Sequence, residues 1–229
     1  MRWLAWWAAC PGTAVAGPAG APLDGVSADL RPVVVRDEAP ARYRAWRARE
    51  GMAPAELSCL PAGPRGLLVC FRLWEHGERR WVHRADLVAW GATVEQVRDA
   101  VERRAQRVVA GARLVAVDGL PHRYLQIADG DGWAAAGVLL PGALAERLGG
   151  GPVRVAVPAQ GVLVAYRAAG VDLDRVMAVG VREIYAEQPQ AVSPTVHEWT
   201  GEAWRTFGEA VPKEPPQAGR AQKAKDPPG

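Results

Sequence analysis

Lysine is nearly missing from this chain. Only Lys213, Lys223 and Lys225 occur, all close to the C-terminus, against 25 arginines. The body therefore offers no amine for a Schiff base, a phosphate-binding loop or a kinase-type ion pair. Serine is almost as scarce. Ser27, Ser58 and Ser193 are the full set, and none lies in Gly-x-Ser-x-Gly, the strained elbow that exposes a nucleophile. No apolar run reaches the roughly 18 to 20 residues that a helix needs to cross a bilayer, so no transmembrane span is expected. His76, His83, His122 and His197 show no His-x-x-x-His spacing, and the cysteines no Cys-x-x-Cys pair. No zinc site is indicated, and no metal or other cofactor is expected.

Excess charge is also small. The net charge is +3, and Lys213, Arg220, Lys223 and Lys225 against Glu214 and Asp226 supply +2 of it. The body is close to neutral and lacks the electrostatic footprint of a nucleic-acid binder. Asp129-Gly130-Asp131-Gly132 has the look of a calcium loop, but the further oxygen ligands and the closing glutamate are missing. Alternating glycine and aspartate are what a tight turn asks for. Gly149-Gly150-Gly151 precedes a strand, not a helix, so it is the stop of a helix and not a phosphate cradle.

The three cysteines leave two readings of the compartment. Arg2, the apolar residues 3–10 and Ala14-Val15-Ala16 before Gly17 have the parts of a short secretory signal. A single charge, three tryptophans and Pro11 depart from that pattern, and the chain is then cytoplasmic with reduced thiols. If the leader is removed before Gly17, Cys59 and Cys70 remain as an even pair, 11 residues apart across a loop.

Residues 1–30 read as leader and linker, 31–65 as a strand–helix–loop extension and 66–208 as the main domain. Residues 209–229 are a disordered basic tail without periodicity. The residues predict a strand over 32–36, a helix over 38–49 stopped at Gly51, and a loop over 54–66. Strand 67–74 and its return 79–83 make a hairpin. A short helix over 85–90 follows. Thr93-Val94-Glu95-Gln96 is a capping box, and Val94, Val97, Val101, Ala105 and Val108 form a stripe at helical spacing behind it. Strands are expected over 114–117, 124–128, 133–139, 153–157, 162–166, 195–199 and 202–207. Pro141 opens a helix, and Asp172 caps another that buries Leu173, Val176, Met177, Val181, Ile184 and Tyr185. Strands arriving as hairpins, with helices singly between them, define an α+β fold: a largely antiparallel sheet with helices on one face.

Four stretches carry a resemblance. VHRADLVAWGATVEQVRDAVERR, GDGWAAAGVLLPGALAERLGG, PVRVAVPAQGVLVAY and VSPTVHEWTGEAW, in this order, resemble the bacterial YtpQ-like proteins, domain of unknown function 1444. The likeness covers residues 66–207, and the N-terminal third departs from it. The resemblance implies an α+β domain. It assigns no reaction and no catalytic residue.

Two functional readings stand. The first is a non-catalytic binding or interaction module with a protein partner. It rests on tryptophans set beside arginines on strands, the residue types enriched at interfaces. Trp199, Trp204, Arg205 and His197 are its candidate binding residues. The alternative is a hydrolase-like enzyme of unrecognised type, using Asp129, Asp131 and Glu183 with His197 as general base.

Overall fold

The computed structural model describes residues 29–75 and 78–209. Strand β3 (Leu67–Glu75) organises the first sheet. Its apolar residues alternate. Leu67, Val69, Phe71 and Leu73 face the main core, while Cys70 faces a second cluster with Val33, Val35, Tyr43 and Trp81. Along one side β3 pairs antiparallel with β1 (Leu30–Arg36). Along the other it pairs with β2 (Cys59–Pro61) and then β4 (Glu78–Trp81). Helix α1 (Ala39–Arg49) covers the outer side through Ala39 and Tyr43.

The second sheet has six strands in the order β10-β9-β7-β8-β6-β5, every pair antiparallel. They are β5 (Leu114–Ala116), β6 (Arg123–Ala128), β7 (Val153–Ala159), β8 (Val162–Arg167), β9 (Thr195–Trp199) and β10 (Trp204–Glu209). A helical layer lies between the sheets. After the short α2 (Arg84–Ala89) it contains α3 (Val94–Gly111), α4 (Trp133–Ala136), a 3-10 turn (Gly137–Leu139) and α5 (Pro141–Arg147). Helix α4 touches β1 of the first sheet and β6 and β8 of the second, so one apolar core is shared by both sheets. Helix α6 (Val171–Glu187) packs on the far side of the larger sheet, against Ala156, Val164, Tyr166 and Val196.

The class is α+β with antiparallel sheets, as expected. There are two sheets, not one, and helices cover both faces of the larger. The boundary read at residue 66 falls inside a sheet, because β1 and β2 pair with β3. Among the described residues no helix is long and apolar enough to cross a membrane.

Local signals explain most elements. At the start of α3 the Gln96 amide donates to the Thr93 hydroxyl at 3.2 Å, and the Thr93 amide donates to the Gln96 side chain at 2.8 Å. The capping box read from the sequence is therefore present. The helix buries Val97, Val101, Ala105 and Val109, and Val94 and Val108 are only half-buried at the edge of the stripe.

Three expectations need correction. The loop over 54–66 contains β2. Residues 133–139 are helical, not a strand. The three alanines favour a helix, and the Asp129 carboxylate accepts from the Gly132 amide at 2.8 Å and the Ala134 amide at 2.7 Å. That bond holds the first turn of α4. Finally, α6 is capped by Gly170, with Asp172 inside its first turn, and Val176 faces outward at 47 % exposure.

Candidate functional site

Past the part of the first sheet that α1 covers, the outer face changes from aliphatic to arginine and tryptophan. The register fixes this. Arg31 on β1 stands directly opposite Arg72 on β3, and Arg72 stands opposite Trp81 on β4. Two residues further, Trp74 faces Arg79 across the same hairpin. Each guanidinium lies near an indole. Arg72 is 4.1 Å above Trp81, Arg79 is 4.6 Å above Trp74, and Arg31 is 6.0 Å from the ring of Trp133. Trp74 remains 41 % exposed.

Of these side chains, Arg31, Arg72, Trp74 and Arg79 line one wall of a cleft of about 720 Å³. The other wall is formed by residues 128–132 and 159–162, at the ends and turns of the second sheet, and by 188–190 after α6. Glycine lets this wall approach. A Cβ on Gly132 would meet the Pro32 carbonyl oxygen at 2.7 Å, and one on Gly161 would overlap the Asp129 carbonyl oxygen. Gln160 donates to the Val34 carbonyl and so ties the wall to the edge of β1.

The two aspartates of the 129–132 turn differ. Asp129 accepts from three main-chain amides, those of Asp131, Gly132 and Ala134. Burial raises its pKa, and those amides oppose the shift. Asp131 is 62 % exposed, with its carboxylate 3.9 Å from Arg31. Among the described residues no group of three or more His, Cys, Asp or Glu side chains is arranged to hold a metal ion.

Two other polar clusters are structural. Under α1, the Tyr43 hydroxyl and His83 Nε2 are 2.9 Å apart. The His83 amide donates to Asp86 at 2.7 Å, and Arg80 pairs with Asp86 at 2.9 Å. Burial lowers the His83 pKa; Asp86 opposes the shift, while Arg47 and Arg80 add to it. Tyr43 is almost fully buried and fills the outer cluster, so this set joins α1 to α2. Under α6, Arg154 pairs with Asp174 and, at 3.2 Å, with Glu198, and lies 3.5 Å from the Phe207 ring. Burial raises the pKa of Tyr166 beside it, and the carboxylate of Asp174 adds to that.

The residues singled out from the sequence fall as follows. Trp199 and Trp204 are cross-strand partners, tilted on each other at 5.5 Å and half-buried against the main core. Trp204 also covers Gly63 in the loop after β2, where a Cβ would strike its indole. Arg205 is exposed on the α6 side, opposite Glu198. His197 points the other way, is 3 % exposed, and burial pushes its pKa down to about 4. Glu183 is exposed on α6, and Asp129 and Asp131 lie in the turn before α4. Asp129, Asp131, Glu183 and His197 are thus not brought together. Arg31, Arg72 and Arg79 were missed. Alternating strand residues look like ordinary solvated positions until the pairing of β1, β3 and β4 sets them side by side. Trp74 two residues after Arg72, with Arg79 in the return strand, was the available signal.

No family model, curated protein or solved structure matches the chain.

Proposed function

We propose that this protein is a non-catalytic binding module and that its ligand seat is the cleft between the two sheets. One observation carries the reading. The cleft, at about 720 Å³, has the volume of a small-molecule or peptide-end pocket and joins an exposed tryptophan to three arginines across from the 129–132 turn. Three arginines and two aspartates make its lining more polar than most such sites, which suits a polar ligand. The four stretches that resemble the YtpQ-like family support placing the chain among those bacterial proteins, and the resemblance brings no catalytic role.

The test is chemical-shift mapping on the isotope-labelled full chain against a library of small polar compounds and short peptides. Shifts are expected to gather on the Trp74 indole and on residues 128–132 and 159–162. Ligands that map elsewhere, or no ligand at all, would overturn the assignment.

The compartment has its own observation. Cys59 and Cys70 are directly opposed on β2 and β3 and form a disulfide. Disulfides persist in oxidising compartments, which supports the exported reading of the chain over the cytoplasmic one. The leader itself lies outside the described residues. Intact mass of the native chain, without reductant, tests this. A mass beginning at Gly17 and two hydrogens short of the reduced value is expected; a full-length reduced chain in the soluble fraction would overturn it.

A further inference from the structure

We infer that the cleft seats a neutral sugar, with the Trp74 indole against the carbon face of the ring and the side chains of Asp131, Gln188 and Gln190 at its hydroxyls. The inference rests on the cleft being the ligand seat and adds the class of the ligand.

The first ground is that the charges of the cleft are already engaged. Arg31 pairs with Asp131 at 3.9 Å, Arg72 lies over Trp81, and Arg79 lies over Trp74. Asp129 accepts from three main-chain amides. An ionic ligand would have to break contacts of this kind and also shed its own water, which is costly for a charge. A neutral polar ligand leaves them standing. An extended peptide is disfavoured for a different reason. Strand addition needs main-chain donors and acceptors along an open sheet edge. On β1, Pro32 has no N–H and its carbonyl oxygen lies against Gly132, while the Val34 carbonyl accepts from Gln160.

The second ground is the pairing of an aromatic surface with a polar wall. The Trp74 indole is 41 % exposed in the cleft. The face of an aromatic ring is electron-rich. One face of a sugar ring carries C–H groups, which the attached oxygens make electron-poor, so the two attract as they cover each other. A hydrocarbon ligand would cover the indole as well, but it would leave the polar wall opposite without partners.

The third ground is the make-up of that wall. Gln160, Gln188 and Gln190 line it with Asp131. A carboxamide both donates and accepts, as a hydroxyl does, so either direction of an O–H finds a partner. The segment after α6 is fixed in place. The Gln160 amide donates to the Gln190 carbonyl at 3.0 Å, and the Gln160 side chain is held on Val34. Asp131 is 62 % exposed, and its carboxylate has lone pairs beyond the one turned to Arg31. At about 720 Å³ the cleft has room for a mono- or disaccharide.

The experiment is NMR titration of the isotope-labelled full chain with maltose, cellobiose, lactose and diacetylchitobiose, with citrate and inorganic phosphate as charged comparators. At least one disaccharide is expected to shift the Trp74 indole N–H and residues 128–132 and 159–162 saturably. Its affinity should not change as sodium chloride is raised, because a neutral ligand has no ion pair to screen. Trp74→Ala should weaken binding about three- to tenfold, and Trp74→Phe less. Gln188→Ala and Gln190→Ala should each weaken it by roughly two- to tenfold, as the loss of a hydrogen bond predicts. Thermal melting shows whether the variants are folded, and Gln188→Ala, in the segment after α6, decides if Trp74→Ala is not. Disaccharides that fail to bind, or that bind all three alanine variants as well as wild type, overturn the inference. If citrate or phosphate maps to the cleft and no disaccharide does, the inference falls and the binding reading stands. If no compound of any class maps to the cleft, both fall.

Discussion

His197 sits where strand alternation sends it. Val196 faces α6, so its neighbour turns into the shared core beside Val155. There the imidazole is neutral, and burial holds its pKa at about 4. Among the described residues no charged group raises its basicity, and burial alone sets the shift. Its effect is on stability. In the unfolded chain the ring takes a proton near pH 6.5, while in the folded chain it resists protonation down to about pH 4. Stability therefore falls as the pH drops through that window, by up to about 3 kcal/mol from this residue. Denaturant unfolding of the wild type and His197→Gln between pH 7 and pH 4 checks this: the wild type should lose stability more steeply. Parallel profiles would show that the ring is not held neutral. Trp199 and Trp204 show the same pull between surface and core. Both sit on strands next to polar residues, as an interface tryptophan would, yet both pack half-buried against the core.

At the scale of elements, the small strand β2 and the loop after it link the layers. Gly63 has φ +101° and lies against the indole of Trp204 on β10. A side chain at position 63 is doubly excluded, by backbone conformation and by the ring. Gly63→Ala should cost about 1 to 3 kcal/mol. Trp204→Ala in the same chain should recover only part of that, because the backbone strain remains. Melting temperatures of the single and double variants measure it; no loss in Gly63→Ala would mean that the loop and β10 are not in contact. The sequence made hairpins β3–β4, β7–β8 and β9–β10 legible through period-two runs bounded by glycine and proline. It made α3 legible through its capping box and stripe. It hid β2, where Pro61, Gly63 and Pro64 crowd a three-residue strand, and α4, whose short apolar run fits either a strand or a helix by periodicity. What decided α4 was the Asp129 carboxylate, a contact made from outside the run. The cleft was illegible for a related reason. It exists only once β1, separated from β3 by thirty residues of chain, has found its register.

For the whole molecule, the Cys59–Cys70 disulfide closes a short loop, with a sequence separation of 11. A loop of that size is worth about 3 kcal/mol through the unfolded state. Cys59→Ser with Cys70→Ser should lower stability by that order, and reductant should do the same to the wild type. Chemical denaturation with and without reductant reads both, and equal midpoints would mean that the thiols do not pair.

The layering has a further consequence, for inheritance. The first sheet is drawn wholly from residues 30–81 and the second wholly from 114–209, as though two small proteins had been joined end to end. Yet the filling between them, α3 to α5, belongs to neither alone. A gene fragment that copied either sheet into another protein would carry it away with one side bare. The chain can be lengthened at its ends, or decorated at its turns, but it cannot be halved. The two sheets share one core, with the cleft at their seam.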